Sequence, residues 1–279
     1  MSRELMLVTL ACLLCGPALL AAGAVAVRLR RVESARELEQ RAWRRVWTPL
    51  WPAALVLAFL VGWAVQEPET SEGVEPAMLA VAAVFGLISL RAAARAVRAL
   101  RTPARGVVAM TVGLVRPRVY IAPELAARLD ERALRAALEH EAAHARHRDP
   151  LRLWIAQIAT DLQWPLAAAR QRFADWRNAL ELARDAEACE RVDGSDLAAA
   201  LIEAARLSRA SVGDAVAGLV GGADAFSDRI HRLLEPPHDA AGAPRRSWVW
   251  ALRIGAVALA IAAGSLFGEV IVGALPGLD

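Results

Sequence analysis

The stretch ALEHEAAHARHRDP, residues 137–150, holds three of the five histidines in the 279-residue chain. It lies in a segment with the marks of an α-helix: Asp130 as N-cap, Glu131 in the first turn, alanine and leucine throughout, and Pro150 as a stop. In a helix, His140 and His144 share one face one turn apart, close enough to hold one ion at a zinc–nitrogen distance of about 2.0–2.1 Å. Glu141 stands beside them, able to reach a water on the metal without ligating it. This is the HExxH pattern, in which zinc polarises a carbonyl and the glutamate takes and returns a proton. A chance pattern on a solvated helix is the competing reading. His147, beside Arg148 and Asp149, is expected to pair locally, and His231 and His238 to lie on the surface.

Two histidines leave a catalytic zinc site one protein ligand short. A third histidine six residues on, the metzincin arrangement, is excluded because Pro150 occupies that position. A later helix, expected from about Ala174 to Arg191, offers Glu181, Glu187 and Glu190. Further helices are expected over Leu151–Gln163 and Asp196–Leu207. Upstream, GVVAMTVGLVRPRVYIA reads as two short strands separated by Gly113 and Pro117.

The rest of the chain is strongly apolar, 56% hydrophobic against 23% charged, a profile of charge segregated from apolar blocks that fits a membrane protein. All 33 basic residues are arginine. Four stretches approach the length of about 20 residues that spans a bilayer: Leu5–Val27, Pro49–Val65, Pro76–Leu90 and Trp248 to about Leu275. A buried core helix is the alternative for the third. The segment Arg28–Val46 is read as a basic loop, QEPETSEGVE as an acidic loop, and RAAARAVRALRTPAR as basic again. By the positive-inside rule the first and third of these, with everything to Arg246, face the cytoplasm, and both termini face outward. Arginine beside spanning segments is explained by anionic lipid rather than nucleic acid. Cys12 and Cys15 fall inside the first span and Cys189 in the cytoplasm, so no disulfide is expected.

With GLVRPRVYIAPEL leading into LEHEAAHARHRDPL, then ELARD, DLAAALIEAARL and DRIHRLL, the chain over roughly residues 105–235 resembles the BlaR/MecR-type integral-membrane zinc metallopeptidases, relatives of the HtpX and Ste-type membrane proteases. The resemblance implies that the third zinc ligand is the glutamate opening an E-L-A-C-D-like motif, here Glu181, with Asp185 supporting a ligating histidine. Arg184 stands where cysteine is usual. Glu187 is the alternative third ligand, but its frame has Arg191 where the acid belongs. It also implies that Arg118, Val119, Tyr120, Ile121 and Ala122 form a strand that pairs with extended substrate, the alternative being an ordinary sheet strand.

The expected architecture is therefore mainly α. Residues 1–90 hold three transmembrane helices (about 5–27, 49–65 and 75–90), residues 91–246 a cytoplasmic α+β zincin-like metallopeptidase domain with a small β-sheet, and residues 247–279 a fourth transmembrane helix and a short tail. The expected function is that of a zinc endopeptidase in a bacterial inner membrane, one zinc per chain with Glu141 as general base. It would cut a cytoplasmic or membrane-proximal protein such as a repressor, with lipid but no nucleic acid as partner. The alternative is a non-proteolytic signalling or scaffold protein that keeps the fold. BlaR/MecR-type sensors continue into a penicillin-binding domain after the fourth span, so β-lactam sensing by this chain alone is not expected.

Overall fold

The computed structural model describes residues 34–51, isolated positions between 54 and 62, and residues 76–101, 108–212, 223–235 and 249–273. The expected first span, most of the second, the acidic loop, Cys12, Cys15 and His238 lie outside the described residues. In chain order the elements are α1 (Ala35–Trp47), α2 (Pro76–Arg101), β1 (Ala109–Val112), β2 (Arg118–Ile121), α3 (Pro123–Ala126), α4 (Glu131–Arg146), α5 (Asp149–Leu162), α6 (Ala167–Ala188), α7 (Gly194–Val212), α8 (Ala223–Leu234) and α9 (Val249–Gly273).

The two expected strands form an antiparallel hairpin, with Thr111 opposite Val119 and Met110 opposite Tyr120. Its turn needs Gly113, which sits at φ 100°, where a Cβ would lie 2.8 Å from the carbonyl oxygen of Arg116. Helix α4 begins as its sequence dictates: the Asp130 carboxylate accepts from the Ala133 amide at 2.8 Å, which satisfies one of the free donors of the first turn. This helix is the hub of the domain, packed against α5, α6, α7 and both strands.

Several boundaries differ from expectation. Pro150 does not end α4, which stops at Arg146; it stands in the first turn of α5, where its missing N–H costs nothing. The chain reverses through Arg148, held in the left-handed region at φ 52° and ψ 43°. The helix expected from about Ala174 starts at Ala167, and the one expected from Asp196 starts at Gly194. The helix expected to end near Leu90 runs on through Arg101, because the arginines that follow favour helix and have solvent on one side.

The larger correction is the segment read as a basic loop. Ala35–Trp47 is a helix, N-capped by Ser34 Oγ, which accepts from the Glu37 amide at 3.2 Å. It lies along α6 and touches α5. Its Ala42 and Val46 join Ala156, Ala159, Trp176, Ala179 and Leu180 in a buried cluster, flanked by Trp43, Trp47 and Phe173. Trp176 is fully buried, its ring 4.8 Å from that of Trp43 and its indole N–H donating to Glu39 at 3.1 Å. A second cluster of Ala136, Ala188, Leu197, Ala198 and Leu233 joins α4, α6, α7 and α8. There α7 and α8 meet at backbone distance: a Cβ on Gly194 would lie 2.2 Å from the Leu233 carbonyl oxygen.

The molecule is thus mainly helical with one small sheet. Among the described residues no helix is long and apolar enough to cross a membrane. Large apolar side chains nevertheless stand exposed on α2 (Val84, Leu87, Leu90) and α9 (Ile254, Leu259, Leu266). Trp176→Ala is expected to cost about 3–5 kcal/mol through the cavity it leaves. Trp176→Phe, which keeps most of the apolar contact but strips a donor from buried Glu39, should cost about 1–3 kcal/mol. Urea unfolding followed by circular dichroism measures both.

Candidate metal centre

Helix α4 presents His140, Glu141 and His144 on its buried side, and α6 brings Glu181 across to meet them. His140 Nε2 lies 3.2 Å from His144 Nε2, and Glu181 Oε2 lies 3.7 and 3.8 Å from these two nitrogens. Donor atoms bound at about 2.0–2.1 Å in a tetrahedron stand about 3.3–3.4 Å apart, so the three atoms fit a single ion with small adjustments of the Glu181 rotamer. Two imidazole nitrogens facing each other at 3.2 Å would otherwise set lone pair against lone pair unless a proton lay between them. The histidine side chains are 6% and 11% exposed whereas that of Glu181 is 34% exposed, which leaves the centre open on the Glu181 side.

Each imidazole is gripped at its far nitrogen by an aspartate from another helix. His144 Nδ1 lies 2.9 Å from Asp149 Oδ2, the aspartate at the start of α5. His140 Nδ1 lies 3.0 Å from Asp185 Oδ1, one turn beyond Glu181 on α6; this contact is close but off the line of a good hydrogen bond. An N–H aimed at carboxylate on Nδ1 leaves Nε2 as the electron-pair donor toward the ion, the tautomer a metal ligand needs. On α8, Arg229 grips Asp185 with two bonds of 2.8 and 2.9 Å and reaches Glu181 Oε2 at 3.2 Å.

Glu141 projects into the same space but is not one of the converging donors. The hydroxyl of Thr111 on β1 stands 2.9 Å from Glu141 Oε2 and 2.8 Å from the Glu141 carbonyl oxygen. With one proton to give, that hydroxyl bonds to one of them at a time, and either bond ties the sheet to this part of α4.

Burial alone would lower the pKa of both histidines, yet both are raised. For His144 the charge of Glu181 and the bond to Asp149 outweigh desolvation and carry it to about 10; for His140 the adjacent carboxylates of Asp185 and Glu181 do so. Burial would likewise raise Glu181, but Arg229 and His144 hold it well below the usual carboxylate range. Asp149 is held low against its burial by His144 and Arg184, and Asp185 by Arg229 and His140. The carboxylates around the two rings thus favour positive charge at the point where the Nε2 atoms face each other.

Of the residues named from the sequence, His140, Glu141, His144, Glu181 and Asp185 come together. Glu187 is turned to another cluster, where it accepts from Arg146 Nε at 2.9 Å and pairs with His147 Nε2 at 2.8 Å. His147 therefore finds its partner across helices and not beside it in sequence. Glu190 reaches Arg36 on the surface at 2.5 Å, and His231 is exposed. Sequence reasoning passed over Asp149, Thr111 and Arg229 as site residues. The Asp-Pro pair that opens α5 was a signal for the first; Thr111 and Arg229 had none, since only the tertiary fold brings them in.

Two outcomes are expected. Glu181→Gln should weaken metal binding by more than about 100-fold, beyond the 10- to 100-fold typical of supporting residues, while Glu187→Gln binds like wild type in a chelator competition. Because Glu181 and Asp149 raise the His144 pKa well above its ordinary value, loading at pH 7 should release protons and apparent affinity should rise with pH. Calorimetry in buffers of different ionisation enthalpy counts those protons.

No curated protein and no solved structure matches the chain. A family model described as BlaR1 peptidase M56 matches residues 22–233, a span that holds α1, the hairpin, α4 and every residue of the centre. The chain belongs to the BlaR1 peptidase M56 family.

Proposed function

We propose that the protein is an active zinc-dependent endopeptidase of the membrane, cutting a cytoplasmic or membrane-proximal protein. The observation that carries this reading is the division of labour on α4: His140 and His144 converge with Glu181 on one point, while Glu141 is adjacent and held by Thr111 instead of joining them. Metal binding alone has no use for that fourth group.

His140, His144 and Glu181 would hold the ion. A His/His/carboxylate set with one open position suits zinc, which when bound acidifies water and polarises a carbonyl. Glu141 then accepts the proton from the attacking water and delivers it to the departing amine. Thr111 fixes the Glu141 carboxylate in reach, and Asp149 and Asp185 hold the two rings in the binding tautomer.

Extended peptide is the form of substrate the hairpin suits. Ala122 N–H donates to Val108 O at 2.7 Å, which with the register sets residues 110 and 112 to bond inward. The backbone groups of Ala109 and Thr111 consequently face outward on the edge of β1 that no other strand among the described residues covers, and this is the strand that touches Glu141. Pairing there would lay a scissile bond near the base with little demand on sequence. Of the stretch Arg118–Ala122, residues Arg118–Ile121 form the strand behind it, whose outward backbone groups at Val119 and Ile121 are likewise uncovered by any other strand among the described residues.

Family membership and the exposed apolar residues of α2 and α9 support placement in a membrane. The arginines that follow on α2 support a cytoplasmic catalytic domain. A repressor-like partner is one substrate class consistent with that placement.

Glu141→Gln should keep about one zinc per chain and lose at least about 100-fold in cleavage, at the low end of what general-base loss costs. Zinc content and casein or self-cleavage by the purified full chain are the measurements. Wild-type protein without zinc, or a Glu141→Gln variant as active as wild type, would sink the reading.

A further inference from the structure

The zinc reading leaves unexplained a line of buried charge that runs away from the centre. Asp149, completely buried, uses both oxygens fully. Its Oδ2 takes His144 Nδ1 at 2.9 Å and Arg184 Nε at 2.5 Å; its Oδ1 takes Arg184 Nη2 at 3.1 Å and Arg152 Nη1 at 3.0 Å. Arg184, 3% exposed, belongs to α6, one residue before the aspartate that supports the other histidine. Arg152, on α5, passes the line outward to Glu39 of α1, itself buried and also bonded to the Trp176 indole. The Arg152 guanidinium lies over the Trp43 ring at 4.8 Å, so it too is fixed in place.

We propose that Arg184, with Arg152 and Glu39 behind it, is a positioning residue for metal binding: the two arginines clamp Asp149, Asp149 aims the His144 ring, and α1 completes the clamp. A lone carboxylate could rotate about its side-chain torsions and let the imidazole swing. A planar guanidinium with two parallel bonds removes that freedom, which a single thiol at position 184 could not. A buried ion pair of this kind adds little net stability, so its worth lies in geometry. Helix α1 thereby acquires a mechanical link to a metal ligand through Glu39, Arg152 and Asp149, and displacement of α1 would loosen His144.

This inference rests on the zinc reading, and the two fail differently. The full chain and its variants Arg184→Met, Arg184→Lys, Glu39→Gln and Arg36→Ala would be titrated with zinc against a chromophoric chelator. Each would also be loaded with cobalt(II), whose visible absorption reports ligand geometry. Arg184→Met is expected to bind zinc about 10- to 100-fold more weakly with a shifted cobalt band. Arg184→Lys should recover part of the loss, since a point charge can pair but not fork. Glu39→Gln should move in the same direction by less, and Arg36→Ala, which removes only a surface pair between α1 and Glu190 in the turn after α6, should match wild type. Wild-type affinity and spectrum in both Arg184 variants overturn the clamp. If Arg184→Met fails to fold, wild-type behaviour of Arg184→Lys and Glu39→Gln overturns it equally. Absence of zinc from the wild type instead overturns the metal reading beneath it.

Discussion

Everything near the centre depends on two aspartates holding two imidazoles by their far nitrogens. A histidine on a helix places its ring only approximately, because the two side-chain torsions still turn. Asp185 and Asp149 fix those torsions from opposite sides, one on α6 and one on α5. The requirement propagates outward. Each aspartate, once buried, needs its own cation, which is Arg229 for Asp185 and Arg184 with Arg152 for Asp149. Helices α5, α6 and α8 are thus tied to α4 by what the histidines need.

Desolvation explains why so many charges sit together. An unpaired carboxylate in such a pocket would be expensive, and the arrangement leaves none without a partner among Glu181, Asp185 and Asp149. The same argument gives Arg229 a second consequence. It contacts both the candidate ligand Glu181 and Asp185, which lies against His140, so it balances the pocket whether the charge between the histidines is a proton or a metal ion.

What was legible in the sequence is what local chemistry determines. The HEAAH spacing, the Asp130 cap, the glycine in the hairpin turn and the Glu181–Asp185 interval each express helix or turn geometry within a few residues. What was not legible is set by tertiary contact. Ala35–Trp47 carries so many arginines that charge counting marks it as a loop, yet its buried Ala42 and Val46 and its tryptophans lie on one side. Pro150 is a helix stop by one rule and a helix start by another, and only the reversal at Arg148 decides between them. Thr111 and Arg229 reach the centre from 30 and 44 residues away in sequence from their partners, a separation no local pattern encodes.

The alanine-rich core makes the ion pairs matter more than they would in an ordinary domain. Ala136, Ala156, Ala188 and Ala198 let helices approach closely, but small uniform side chains interlock poorly and would tolerate sliding of one helix along another. Register must then come from the few features that cannot slide: Trp176 seated between α1 and α5, the Gly194 contact with α8, and the directional bonds of Arg184 and Arg229. A chain rich in arginine and alanine thus divides the work, alanine setting how near the helices lie and arginine setting where along each other they stop. The geometry of the candidate centre follows from the second, since Arg184 and Arg229 hold the aspartates that lie against its two histidines.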